Sequence, residues 1–309
     1  MIYKEKTFVS AVFYVHNEES RIEKFLSCIT DVLRNNFEKY ELICVNDCCT
    51  DKTVSIIKNY FKGEHSDTVS IVNLSYYQGI EKAMNAGVDI AIGDFVFEFD
   101  STHVDYNQDM IMELYHNCLS GYDIVSASNC KLSLGSKLFY SMFNKNANLQ
   151  YELSTETFRI LSRRAINRVA SMSKTIPYRK AVYANCGLKT NTICYIGTDK
   201  SKHSNGSTQQ RLSTAVDTMI LYTDFAFKIT FIFSMIMMAA TLGVAVYALV
   251  VFFLKQPVAG FTTIMLVMTG SFFVLFALLA GVFKYLSVIV SIVFSKQKYV
   301  FESIEKLSR

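Results

Sequence analysis

The sequence predicts an α/β fold built on a mostly parallel sheet, followed by a two-helix transmembrane hairpin. Three observations predict it. Short β-branched and aromatic runs recur roughly every 30 residues, with helical periodicity between them, which is the pattern of βαβ units. Polar turns carrying Asn17, Asp47 and Asp100 follow three of these runs. Charged residues are frequent up to about residue 228, then nearly vanish until Lys284, with Lys255 between.

The 309 residues are 51% hydrophobic and carry a net charge of +4. That charge is too small for a dedicated nucleic-acid protein, and it suits a chain lying on an anionic lipid leaflet. The eight cysteines include no C-x-x-C pair, and no Cys/His group has zinc spacing. Cys48 and Cys49 are adjacent, so free thiols in a reducing cytosol are expected. The polar stretch Met1 to Lys6 carries no signal-peptide pattern.

In order, Phe8 to Val15 reads as a first strand. Asn17 reads as a helix N-cap, with Glu18 and Glu19 favourable in the first turn. Ile22, Phe25, Leu26, Ile29, Val32 and Leu33 recur at helical spacing. Tyr40 to Val45 is a second strand, and Val54, Ile57 and Phe61 mark a second helix. Val69 to Leu74 is a third strand, and Gln78 to Ile92 a third helix. Phe95 to Phe99 is a fourth strand. Ile111 to Leu119 is helical, and Ile124 to Ala127 is another short strand.

Glu98 and Asp100 stand one residue apart at the end of the fourth strand. Strand side chains alternate, so the two carboxylates project to one side. Such a pair repels itself unless a cation lies between, which is the chemistry of a divalent-metal and phosphate site. In parallel sheets ligands bind at the C-terminal ends of the strands, so Asn17, Asp47 and Asp100 are expected around one crevice.

Ile229 to Leu254 and Phe261 to Phe283 carry no charge, and each exceeds the about 20 residues needed to span a bilayer. Residues 255–260, including Pro257 and Gly260, form the turn. Lys200, Lys202, Arg211 and Lys228 precede the hairpin, and Lys284, Lys296, Lys298, Lys306 and Arg309 follow it. By the positive-inside rule both termini and the globular part are expected to be cytoplasmic. The expected division is a globular domain over 1–211, an interfacial amphipathic helix over 212–228, spans at 229–254 and 261–283, and a juxtamembrane tail over 284–309.

The motifs in order resemble those of the family-2 glycosyltransferases, whose fold is the inverting GT-A fold. The strand plus P-x-Y-N-E motif stands as Tyr14-Val15-His16-Asn17-Glu18-Glu19. D-D-G-S-x-D stands as Asn46-Asp47-Cys48-Cys49-Thr50-Asp51. The Gly/Ala-spaced helix that precedes the metal-site strand stands as Gly79, Ala83, Gly87, Ala91, Gly93 and Asp94. D-x-D stands as Glu98-Phe99-Asp100. Glu156-Thr157-Phe158-Arg159-Ile160-Leu161-Ser162-Arg163-Arg164-Ala165 resembles a segment of the polyprenyl-phosphate glycosyltransferases, the dolichyl-phosphate mannose synthase and bacterial GtrB types. The hairpin and the tail with Lys284-Tyr285-Leu286 and Lys296 to Val300 agree with the GtrB branch. Residues 128–150 match least.

The resemblance implies inverting transfer of a sugar, with UDP-glucose or another UDP-hexose as donor. The acceptor would be a polyprenyl (undecaprenyl) phosphate at the cytoplasmic membrane. It implies nucleotide-sugar binding by Tyr14, Asn17, Glu18, Asp47, Gln78, Glu98 and Asp100. Mg²⁺ or Mn²⁺ would be held by Glu98, Asp100 and Thr102, with His103 and Asp105 nearby. Asp100, Glu156 and Arg159 are the implied catalytic residues. Arg159, Arg163, Arg164, Lys200 and Lys202 are candidates for the lipid phosphate, since a guanidinium fork matches phosphate oxygens. Arg163-Arg164 reads equally as a solvated helix start, and Lys200, Lys202 and His203 as a solvated basic loop. The GtrB branch implies a homo-tetramer. The alternative is a catalytically degenerate member that serves as a nucleotide-sugar-binding or scaffold subunit in the membrane. It is suggested by Tyr14, Asn46, Cys48, Glu98, Thr102 and Thr157 where the family has Pro, Asp, Gly, Asp, Gln and Asp.

Overall fold

A computed structural model describes residues 4–62, 67–130, 134–146, 151–172, 178–197 and 301–307, with single positions between 232 and 289. The strands are β1 (Val9–Val15), β2 (Tyr40–Asn46), β3 (Thr68–Leu74), β4 (Phe95–Phe99), β5 (Ile124–Asn129), β6 (Glu156–Ser162), β7 (Thr190–Tyr195) and β8 (Phe301–Lys306). The helices are α1 (Ile22–Asn36), α2 (Thr53–Tyr60), α3 (Ile80–Ile90), α4 (Asp109–Leu119), α5 (Leu134–Asn146), α6 (Arg163–Met172) and α7 (Arg179–Ala184). The strands form one sheet in the order β7-β5-β6-β4-β1-β2-β3-β8. β1 to β4 are mutually parallel, β6 runs against both β4 and β5, β7 follows β5, and β8 runs against β3. The α/β, mostly parallel sheet expected from the sequence is present.

Alternation along the strands sorts two layers. Val9, Ala11, Phe13 and Val15 of β1, with Phe97 and Phe99 of β4, join Phe25 and Leu26 of α1 and Leu114 of α4 in the main apolar core. Phe25 and Phe99 meet edge-on with ring centroids 5.5 Å apart. The opposite face carries Val12, Val45, Glu98 and Arg159, and α3 packs there. Gly87 makes that packing possible. A Cβ at Gly87 would lie 2.4 Å from Val12 Cγ1 and 2.6 Å from Val45 Cγ2. The glycine of the helix motif is therefore a contact requirement, and α3 lies tight enough on β1 and β2 to bring its N-terminus to the strand ends.

The contacts divide the chain into Met1–Asn144, Leu149–Thr208 and Lys296–Arg309 as one unit, and Lys145–Asn148 with Gln209–Ser295 as a second. The sheet belongs to the first. The expected hairpin, the amphipathic helix over 212–228, Lys200 and Lys202 lie outside the described residues, apart from single helical positions in the spans. Among the described residues no helix is long and apolar enough to cross a membrane.

One sequence expectation is corrected and one is extended. Asn17 is not an N-cap: α1 starts at Ile22, and the Glu18 carbonyl accepts the Arg21 and Ile22 N–H groups at 3.0 Å. The stretch expected as the tail, 284–309, contributes a strand to the sheet. Phe301–Lys306 pairs with β3, and Asn73 Nδ2 donates to Ser303 Oγ and Glu305 Oε1, both at 3.0 Å.

Candidate active site

The loops after β1, β2 and β4 meet at the C-terminal edge of the parallel strands, as expected, but the residues divide into two differently built ends. The first is built from backbone. Asn17 adopts φ 57° and Cys48 φ 58°, the left-handed region. Asn17 Oδ1 accepts the Thr50 N–H at 2.8 Å and so ties the β1 loop to the β2 loop. Cys48 occupies the position where the resembled motif has glycine, and its backbone adopts the conformation a glycine there would supply.

Asp47 is fully buried beneath these loops. Its carboxylate accepts the Gln78 N–H at 2.8 Å, the Gly79 N–H at 2.9 Å and the Tyr14 hydroxyl at 3.1 Å. The two amides open α3, where free N–H groups and the helix dipole favour an anion. Burial, and then the neighbouring Asp47 charge, push the Tyr14 phenol well above its usual range, so it stays a donor. Asp47, expected at the nucleotide-sugar site, anchors the start of α3 in this structure, with the Tyr14 hydroxyl and the Gln78 and Gly79 amides as its donors. Glu18 reaches the other end of the crevice, where Thr102 donates its hydroxyl to Glu18 Oε2 at 3.0 Å.

The second end is built from charge. Glu98 and Asp100 do project to one side, and two guanidiniums lie against both. Arg159 gives Nη1 to Glu98 Oε2 at 2.9 Å and Nη2 to Asp100 Oδ2 at 2.7 Å. Arg179 gives Nη1 to Glu98 Oε2 at 2.9 Å and Nη2 to Asp100 Oδ1 at 2.7 Å. Tyr183 donates to Glu98 Oε1 at 2.7 Å. Register explains Arg159, since it is the cross-strand partner of Glu98 in the β4–β6 pair. Glu81, in the first turn of α3, holds Arg179 through both its backbone N–H (2.9 Å) and Nε (3.1 Å). Glu156 Oε2 faces Arg159 Nε at 3.1 Å. It reaches that face because the β5–β6 register shifts between Ala127 and Ser128, a bulge that breaks alternation.

Both arginines and Glu98 are fully buried, while Asp100 keeps 14% of its side chain exposed. Burial alone would raise the Asp100 carboxyl. The Arg159 and Arg179 charges outweigh it and hold the group well below the carboxylate range. Lys180, half-buried, adds a further cation near Asp100 and donates to the Glu156 carbonyl at 3.2 Å.

This donor set does not fit a divalent metal held by Glu98, Asp100 and Thr102. All four carboxylate oxygens accept charged or phenolic donors, and Thr102 is turned to Glu18. Among the described residues no three His, Cys, Asp or Glu side chains are grouped to hold a metal ion. Asp105 is also engaged elsewhere. It accepts from Tyr195 at 2.8 Å and from Asn129 at 3.0 Å, and Tyr195 bonds Thr157 at 2.7 Å.

Arg163 and Arg164 stand at the opposite edge of the sheet, beside the start of β4. Arg163 donates to the Gly93 carbonyl at 3.0 Å and the Ala91 carbonyl at 2.8 Å. Arg164 binds Asp123. The expectation that they meet an acceptor phosphate with Arg159 is corrected, because β6 carries them a strand's length away from Asp100. Sequence reasoning missed Glu81, Arg179, Lys180 and Tyr183. The available signal was Arg179 and Tyr183 at i, i+4, one face of a helix.

Residues 10–175, more than half of the chain, match the family described as glycosyl transferase family 2. The chain belongs to that family. Among its relatives are an uncharacterized glycosyltransferase of Synechocystis sp., 27% identical over 65% of this chain and 64% of that one. A prophage bactoprenol glucosyl transferase homolog of Escherichia coli is 28% identical over 62% of this chain and 64% of its own. The bactoprenol glucosyl transferase of Shigella phage SfX is 27% identical over the same shares. The chain thus spans just under two thirds of the length of these relatives. The family's GT-A fold is seen in a Pyrobaculum calidifontis mannosyltransferase solved with GDP-Man and Mn²⁺. Its TM-score is 0.53 at 14% identity, over 95% of this chain and 89% of that one, a likeness of fold alone.

Proposed function

We propose that this chain transfers a sugar from a nucleotide-sugar to a polyprenyl phosphate at a membrane surface. The observation that carries the reading is the convergence of the Asn17–Glu18, Asn46–Asp51 and Asp100–Thr102 loops on one crevice, cross-linked by Asn17 to Thr50 and by Thr102 to Glu18. The relatives named bactoprenol glucosyl transferase support the acceptor class, and a UDP-hexose is the donor we assign. The apolar stretches 229–254 and 261–283 anchor the chain in this reading, with the globular part cytoplasmic and four copies assembled through the hairpins.

A phosphomonoester has its second pKa at roughly 6, so near pH 7 the acceptor is already a nucleophile. One phosphate oxygen bonds to the anomeric carbon. The bond from that carbon to the donor's diphosphate oxygen breaks in line, the electron pair leaves with the nucleoside diphosphate, and the configuration inverts. Asp100, the partly exposed member of the charged cluster, orients the sugar, with its position fixed by Arg159 and Arg179. Glu156 holds Arg159 in turn.

A second reading is favoured by one observation, the sealing of Glu98 and Asp100 by arginine: a nucleotide-sugar-binding or scaffold subunit without transfer. The full chain in lipid nanodiscs, given undecaprenyl phosphate and a panel of labelled UDP- and GDP-sugars, separates the two. Label passing into the organic phase is the expected result. Binding of UDP without transfer of any sugar selects the scaffold, and absence of both ends either reading.

A further inference from the structure

We propose that this chain binds its nucleotide without a divalent cation, because Arg159 and Arg179 fill the seat between Glu98 and Asp100 that such a cation would take. The proposal rests on the crevice being a nucleotide site, which both readings above share.

The carboxylate oxygens are fully accounted for. Glu98 Oε2 accepts Nη1 of both arginines, Oε1 accepts Tyr183, and the two Asp100 oxygens accept one Nη2 each. Two guanidiniums carry the same formal charge as one divalent cation. They bridge the two carboxylates as a metal would, through planar forks that fix direction as well as charge. Neither is a stray surface side chain. Arg159 is set opposite Glu98 by strand register, and Arg179 is held from behind by Glu81 and is fully buried. A hydrated Mg²⁺ or Mn²⁺ seated between Glu98 and Asp100 would have to displace charge-assisted hydrogen bonds from two buried arginines. It would also have to take its oxygens from a Glu98 that has no exposed surface. The third ligand expected from the sequence, Thr102, is 2% exposed and engaged with Glu18.

The same geometry predicts what happens when the seat is vacated. Glu81, Glu98 and Asp100 all bind Arg179. Removing its side chain leaves Glu81, Glu98 and Asp100 short of one cation, with Arg159 still on the last two, a deficit of charge that a divalent cation would make good.

The test uses the full chain, stripped with EDTA. UDP and GDP are titrated calorimetrically in EDTA and in Mn²⁺, and Mn²⁺ alone is titrated by electron paramagnetic resonance. The expected result is a nucleotide Kd equal within twofold in the two conditions, and a Mn²⁺ signal of the free ion. One Mn²⁺ bound per chain, or nucleotide affinity rising tenfold or more with Mn²⁺, overturns the proposal. Binding of neither nucleotide in either condition removes the nucleotide site itself, and the proposal with it. In Arg179→Ala a bound Mn²⁺ signal should appear and nucleotide affinity should become Mn²⁺-dependent, whereas Arg179→Lys should remain metal-independent. An Arg179→Ala chain that folds by circular dichroism yet binds no Mn²⁺ refutes the idea of a filled cation seat. If that variant does not fold, the wild-type and lysine measurements decide alone.

Discussion

The two ends of the crevice each bury a carboxylate at a strand terminus, and they satisfy it in opposite ways. Asp47 is met by neutral donors, two amides and a phenol, that belong to the turn it organises. Glu98 is met by two guanidiniums, brought from strands and helices distant in sequence, and by Tyr183. A carboxylate held by local backbone donors shapes a loop. A carboxylate held by buried counter-charges ties together β4, β6, α3 and α7, and its removal leaves charge behind. Truncation should therefore cost far more at the second end than at the first.

The largest effect is expected at Arg159. Arg159→Met keeps much of the volume and leaves Glu98 and Asp100 with one guanidinium between them. Breaking a buried pair from one side costs about 3–5 kcal/mol, so urea denaturation should show a loss of that order. A loss under about 1 kcal/mol would mean that water already reaches the cluster. The pH dependence sharpens the point. Folding lowers the Asp100 carboxyl below its unfolded value of about 3.9. The folded chain therefore holds its proton less tightly than the unfolded one. The associated stability is present above that value and is lost as pH falls below it. In the wild type, stability should fall as pH drops below about 4, and the fall should be shallower in Arg159→Met.

A smaller effect is expected at Asp47. Asp47→Asn keeps one acceptor oxygen but cannot accept all three donors, and an unsatisfied buried donor costs about 1–3 kcal/mol. Chemical denaturation of that variant should place it between wild type and Arg159→Met. Equality with Arg159→Met would erase the distinction between the two ends.

The same contrast decides what could be read from the sequence. β1 to β5 and α1 to α4 were legible because apolar periodicity marks each one. The convergence of the loops followed from the parallel order. β8 was not legible, since the residues it turns toward the sheet are Ser303 and Glu305, which bond Asn73 and leave no apolar alternation to see. Glu98 and Asp100 project to one face as expected, but the two guanidiniums that lie against them were not foreseen. Arg179 lies 81 and 79 residues from its partners, and no local pattern reports such a pairing. Arg159 was a candidate for the lipid phosphate through the resemblance, and it is fully buried. Its partners are the strand carboxylates that face it.

The smallest expected effect has the opposite sign and probes the backbone-built end alone. Cys48 holds φ 58° with a side chain that a left-handed backbone disfavours by about 1–2 kcal/mol. Its thiol returns little, reaching the Leu74 carbonyl only at 3.8 Å. Cys48→Gly relieves the strain, while glycine's greater freedom in the unfolded chain takes back about 0.5–1 kcal/mol. The net gain should be about 0.5–1 kcal/mol, measurable as a small rise in the denaturation midpoint with unchanged slope. The metal-free UDP affinity should stay the same, because the Asn17–Thr50 tie and the Asp47 anchor are untouched. A loss of stability in Cys48→Gly would show that the thiol, rather than the backbone angle, decides how this turn is held.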